Sequence, residues 1–156
     1  MRRLVLVSVP FKRDGWFPEV PANMDQMGPV HAEPMKQSPV YELYACVAPR
    51  VEDWPVLLTK IGDLLRREYD WAAEAAEVTA PTLLVVGDGD AVRPEHVVEF
   101  FGLLGGGLRD AGWDGAQRTA ARLAVLPGFT HYDVLTSPAP APAVTPFLDA
   151  PAPPSA

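Results

Sequence analysis

Thr82-Leu83-Leu84-Val85-Val86-Gly87-Asp88-Gly89-Asp90, with Arg93-Pro94-Glu95 close behind, is the stretch on which the fold turns. Thr82 to Val86 is an apolar run without alternation, the pattern of a strand buried on both faces in a parallel sheet. Pro81 opens it, and Gly87-Asp88-Gly89-Asp90 reads as a sharp loop that stops it. Arg93-Pro94-Glu95 then starts a helix carrying Val97, Val98, Phe101 and Leu104, which Gly105-Gly106-Gly107 ends. Strand, loop and helix in that order are half of an α/β unit.

Two further runs have the same character. Residues 3 to 9 are Arg-Leu-Val-Leu-Val-Ser-Val, and Arg122-Leu123-Ala124-Val125-Leu126 leads into Pro127-Gly128-Phe129-Thr130-His131. The expectation is an α/β fold with about three parallel strands, near 3–8, 82–87 and 122–126, flanked by helices. The first strand begins almost at Met1, so a neighbour on one of its sides is expected to be missing. Its apolar run is short for a signal peptide, and no small-residue cleavage site follows.

Between the first two strands, residues 10 to 39 carry Pro10, Pro18, Pro21, Pro29, Pro34 and Pro39 and are expected to be irregular. Ser38 as N-cap and Pro39 at the first helical position predict a helix to about Val47. Cys46 within it is expected to be a packing residue. From about Glu52 to Tyr69, Trp54, Leu57, Leu58, Ile61, Leu64 and Leu65 recur at helical spacing, with Asp53 placed to cap the helix. This face, with Met24, Met27 and Met35, is read as core or as the lining of a substrate pocket. Residues 71 to 78 predict a short alanine-rich helix, and Pro138 to Leu148 a last one. Gly105-Gly106-Gly107 is no phosphate cradle, because it follows a helix and no Lys-Ser/Thr pair comes after it. One domain over 1–149 is expected, with an inserted region of about 10–70 and a disordered tail at 150–156.

Composition restricts the function. With 48% hydrophobic and 21% charged residues the 156-residue chain is ordinary globular material. A net charge of −7 argues against nucleic acid and anionic membranes as partners. Nothing approaches the roughly 20 apolar residues a transmembrane helix needs. One cysteine excludes an internal disulfide and is compatible with a cytoplasmic location. Three scattered histidines give no metal-ligand spacing, so neither metal nor cofactor is expected.

Asp90 and His131 each follow a buried-type strand. In open parallel sheets functional groups collect at the carboxyl ends of the strands, so the two share one edge if their strands are neighbours. A turn aspartate and a surface-loop histidine are the plain alternatives for each alone. Gly87-Asp88-Gly89-Asp90 before Arg93-Pro94-Glu95-His96 resembles the acid loop of the α/β-hydrolases. Leu126-Pro127-Gly128-Phe129-Thr130-His131 resembles their histidine loop, with Thr130 where glycine is usual. The opening strand to Ser8, a helical insertion and Ala80-Pro81-Thr82 resemble the strands flanking the lid. The similarity runs from about residue 2 to 149.

The resemblance implies a C-terminal, partial α/β-hydrolase fold with a lid over about 10–70. It assigns His131 as the general base and Asp90 as its carboxylate partner, and leaves Asp88 to structure the loop. The family's order is nucleophile, acid, histidine, which puts the nucleophile upstream of residue 3. No Gly-x-Ser-x-Gly occurs in the sequence; Ser8 ends a strand without a glycine elbow, and Ser38 and Ser137 precede prolines. The expectation is therefore a piece of a serine hydrolase, acting as a whole on a small apolar substrate and inactive alone. The alternative is a non-catalytic module that binds a small apolar ligand or a partner chain. An exposed first strand would also favour self-association. His31 and His96 are expected to be structural or solvated.

Overall fold

A computed structural model describes residues 2–151 and divides into two compact units, Met1–Phe17 with Tyr69–Ala156, and Pro18–Glu68. The first unit is built on three parallel strands in the order β1-β2-β3: β1 is Leu4–Val7, β2 Thr82–Gly89 and β3 Arg122–Thr130. Thr82 to Gly87 of β2 are buried, as an unbroken apolar run between two neighbours should be. β1 is only half-buried and, among the described residues, pairs on one side alone, from Leu4 opposite Thr82 to Val7 opposite Val85. Half-burial fits a strand expected to lack a neighbour on one side: an outer strand keeps water on its unpaired flank.

β2 and β3 run further than the apolar runs predict. β2 continues through Gly87-Asp88-Gly89 and β3 through Pro127 to Thr130, so neither segment is simply a loop. Pairing between the strands holds both extended. Where β2 advances from Gly87 to Gly89, β3 advances from Leu126 to Thr130, an irregularity that bends the end of the sheet. Pro127 is tolerated because β3 pairs only with β2 among the described residues, leaving a side that needs no N–H donor. Gly87 is required here: a Cβ on it would lie 2.1 Å from the Phe129 carbonyl oxygen.

Helices α1 to α4 lie in the second unit: Glu19–Gln26, Ala32–Met35, Pro39–Val47 and Trp54–Leu65. The first unit has α5 (Ala72–Ala76), α6 (Pro94–Leu103) and α7 (Ala141–Asp149). Phe11, Ala75, Leu84 and Phe100 form one buried cluster, against which Leu6 and Leu123 pack. Leu6, Leu84 and Leu123 stand in register, so this is one face of the sheet covered by α5 and α6. Val86, Val92 and Val97 extend the same core toward the strand ends. Val98 of α6 is exposed, because the face toward the sheet is set by Val97, Phe100, Phe101 and Leu104. Gly105, in left-handed backbone (φ +80°), ends this region as read from the sequence.

The second unit corrects the expectation of an irregular 10–39. Helices α1 and α2 and a 3₁₀ turn at Pro29–His31 occupy half of it. The prolines mark starts instead of breaks: Pro18 precedes α1, Pro21 is in its first turn, and Pro29 opens the 3₁₀ turn. First-turn N–H groups have no intrahelical partner to lose. α3 begins as read, with the Tyr41 N–H donating to Ser38 Oγ at 3.4 Å. Asp53 sits at the N-terminus of α4 but makes no capping bond; its carboxylate accepts from Arg50 Nε at 2.8 Å. Cys46 is exposed, so it is not a packing residue; the buried side of this unit is built by Ala32, Trp54 and Leu58. The expected tail falls, from residue 152 onward, outside the described residues.

Candidate active site

Three strand ends meet at one edge of the sheet. Asp90 follows β2, His131 follows β3 and Ser8 follows β1. Asp90 Oδ1 and His131 Nδ1 are 3.2 Å apart, so the two residues singled out from the sequence are brought together. The Asp90 side chain is 2% exposed and the His131 ring 27%, a buried carboxylate behind an accessible imidazole.

In the sequence Ser8 reads as a plain strand end. It is 4% exposed and its Oγ donates to Asp90 Oδ2 at 2.5 Å. It is also the non-glycine residue with left-handed backbone among those described, φ +51°, a conformation seldom held without a reason. The available signal was its position: a polar residue at the carboxyl end of a buried-type strand, on the edge where the other two lie.

Asp90 accepts two more bonds, from the Gly87 N–H to Oδ2 at 3.3 Å and from the Val92 N–H to Oδ1 at 3.1 Å. With Ser8 and His131 this makes four donors, about the capacity of a carboxylate. Burial by itself would raise the Asp90 carboxyl. The bonds from His131, Ser8 and the Val92 and Gly87 N–H groups outweigh it and hold the group down at about 2, against an ordinary 3.8. An ionised carboxylate only accepts, so Nδ1 is the His131 nitrogen that carries a proton in this bond, and in a neutral imidazole the lone pair is then on Nε2. Trp16 meets the His131 ring edge-on at 5.2 Å between centroids and Tyr132 at 5.5 Å, which limits its rotation. Trp16 is itself tied by Nε1 to the Tyr69 hydroxyl at 3.0 Å.

The loops that carry the pair hold each other. Asp88 Oδ1 accepts from the Gly128 N–H at 2.7 Å, linking the acid loop to the histidine loop. Asp133 Oδ1 accepts from the Thr130 N–H at 2.7 Å. His96 is structural: it is buried, stacks on Phe11 at 4.2 Å and accepts the Phe11 N–H on Nε2 at 3.2 Å. His31 lies in the second unit with a buried Nδ1 that lacks a hydrogen-bond partner among the described residues. Among the described residues no three His, Cys, Asp or Glu side chains converge as a metal site would require. No helix among them is long and apolar enough to cross a membrane.

The Asp90 network has a measurable consequence. A carboxyl lowered in the folded state contributes stability that is present above about pH 4 and lost as pH falls through about 2. The contribution is about 2 kcal/mol from the size of the shift. Urea unfolding followed between pH 5 and 2 should show this loss in the native chain and not in Asp90→Asn. Ser8→Ala should move the transition toward pH 4. Identical pH profiles in all three proteins would contradict the network.

A parallel sheet with an acid and a histidine bonded across neighbouring strand ends belongs to the α/β class, and its particular architecture is the α/β-hydrolase fold. No protein-family model matches the chain, and no curated protein is recognisably similar in sequence. Solved structures are. The enol-lactonase from Burkholderia xenovorans matches at 19% identity with a TM-score of 0.51, over 96% of this chain and 57% of that one. E-2-(acetamidomethylene)succinate hydrolase matches at 16% and 0.53, over 96% and 58%. An α/β-hydrolase from a Medee basin deep-sea metagenome library matches at 15% and 0.55, over 96% and 57%. The chain thus has the fold of these enzymes while spanning less than two thirds of their length.

Proposed function

We propose that this chain carries the acid and histidine of a serine-type α/β-hydrolase whose nucleophile and oxyanion donors lie outside it. The observation that carries the reading is the Asp90–His131 bond, with Nε2 of His131 left free by it. In that role His131 Nε2 takes the proton from a serine hydroxyl as the hydroxyl oxygen attacks an ester carbonyl. The same nitrogen returns the proton to the departing alkoxide. Asp90 holds the tautomer and balances the imidazolium formed between the two steps. The small apolar substrate would be covered by the region of about 10–70 acting as a lid. The exposed free thiol of Cys46 fits a reducing compartment such as the cytoplasm.

The alternative of an apolar ligand on the Trp54–Leu65 face has less support. Trp54 and Leu58 are already buried against Ala32 within the second unit. The test is to fuse upstream of residue 2 a segment supplying a strand and a Gly-x-Ser-x-Gly elbow. Aryl-ester turnover should appear and fall about a thousandfold or more in both His131→Ala and Asp90→Asn. Turnover in the fusion that is indifferent to both substitutions would sink the reading.

A further inference from the structure

At the opposite ends of the strands lies a cavity of about 710 Å³, within the range of small-molecule sites. Arg3 precedes β1, Pro81 precedes β2 and Arg122 opens β3, so this is the N-terminal edge of the sheet. It is roughly 25 Å from Asp90, the length of an eight-residue strand. Leu83, Ala124 and Phe147 of α7 give it an apolar wall, and Arg3, Arg118 and Arg122 contribute three cationic groups.

The three arginines are under-used. Arg3 spends one terminal nitrogen on the Ala150 and Pro151 carbonyls, at 2.8 and 2.6 Å, with its guanidinium 5.1 Å from the Phe147 ring centroid. Arg122 spends Nη1 on the Thr119 and Ala121 carbonyls. Each keeps donors on its other nitrogens, since a guanidinium has five N–H groups. Arg118 is exposed, and none of the side-chain bonds among the described residues uses it. Although the chain is acidic overall, at net charge −7, no carboxylate among the described residues forms an ion pair with these three. Burial, then Arg118 and Arg3, depress the ionisation of Arg122, so like charges press on one another across this cavity. A bound anion would relieve that repulsion, and a carboxylate matches the planar guanidinium fork in two parallel bonds.

We infer that this cavity binds a small amphipathic carboxylate, its head on Arg3, Arg118 and Arg122 and its hydrocarbon body against Leu83, Ala124 and Phe147. The site is independent of Asp90 and His131 and stands or falls without them. Equilibrium dialysis of the 156-residue chain against radiolabelled octanoate tests it. Saturable binding is expected, at least about tenfold tighter than that of n-octanol, which has the same body without the charge. Arg118→Gln should weaken octanoate about three- to tenfold and leave octanol unchanged. Ala143→Trp, which fills the cavity from α7, should abolish both. Inorganic phosphate competing as well as octanoate would assign the arginines to a bare oxyanion and overturn the amphipathic ligand. Equal binding of octanoate and octanol, or octanoate binding unaltered in both variants, would overturn the site.

Discussion

Purified alone, the 156-residue chain should hydrolyse aryl esters no faster than its His131→Ala variant. The hydroxyl that reaches the pair is that of Ser8, and it donates to Asp90, not to His131. A carboxylate held at about 2 is far too weak a base to activate it. His131 Nε2 could still deprotonate water. Without a covalent nucleophile and oxyanion donors, most of the rate enhancement of such a site is gone. The same preparation should associate. Leu4 to Val7 are half-buried and pair on one side only among the described residues, and Val125 on the opposite outer strand is 53% exposed. Unpaired strand edges with apolar side chains are templates for self-pairing. Gel filtration at increasing concentration should show a shift to larger species. His131-dependent turnover by a concentration-independent monomer would refute both expectations.

Trp54→Ala should unfold the second unit. Trp54 is 1% exposed, donates Nε1 to the Ala32 carbonyl at 2.9 Å and has the rings of Tyr41 and Tyr44 at 5.2 and 5.0 Å. Met27, Met35, Leu57 and Ile61 pack on the same cluster. Removing a buried tryptophan costs about 3–5 kcal/mol. A unit of about fifty residues, Pro18 to Glu68, has only about 3–8 kcal/mol at the usual stability per residue. The substitution therefore takes between about two fifths and all of it. Limited proteolysis should cut the variant rapidly within residues 18–68, while Trp54→Phe, which keeps the ring volume better, is cut slowly. Native-like protease resistance in Trp54→Ala would show that the cluster does not hold this unit together.

The apolar runs alone determined where the strands have their cores, and their uniformity determined that the sheet is parallel. Local chemistry also set the start of α3, because Ser38 and Pro39 act on their own first turn. That Asp90 and His131 would share one edge was legible because strand ends converge in a parallel sheet, whereas the choice of Asp90 over Asp88 came from the resemblance to the α/β-hydrolases. The proline-rich 10–39 misled, since a proline looks the same whether it breaks a helix or opens one.

What the tertiary structure alone decided involves partners far apart in the chain. β2 and β3 run on past Val86 and Leu126 because each holds the other extended, a constraint absent from either segment. Cys46 faces outward because Trp54 and Leu58, on another helix, fix where the second unit's core lies. Ser8 is 82 residues from Asp90, and nothing in Leu6-Val7-Ser8-Val9-Pro10 announces a bond to it. That bond exists because parallel pairing aligns Val7 with Val85 and so brings the residue after β1 beside the loop after β2. Sequence patterns report the solvent preference of each segment, whereas register and hydrogen-bond partners are properties of segments taken in pairs.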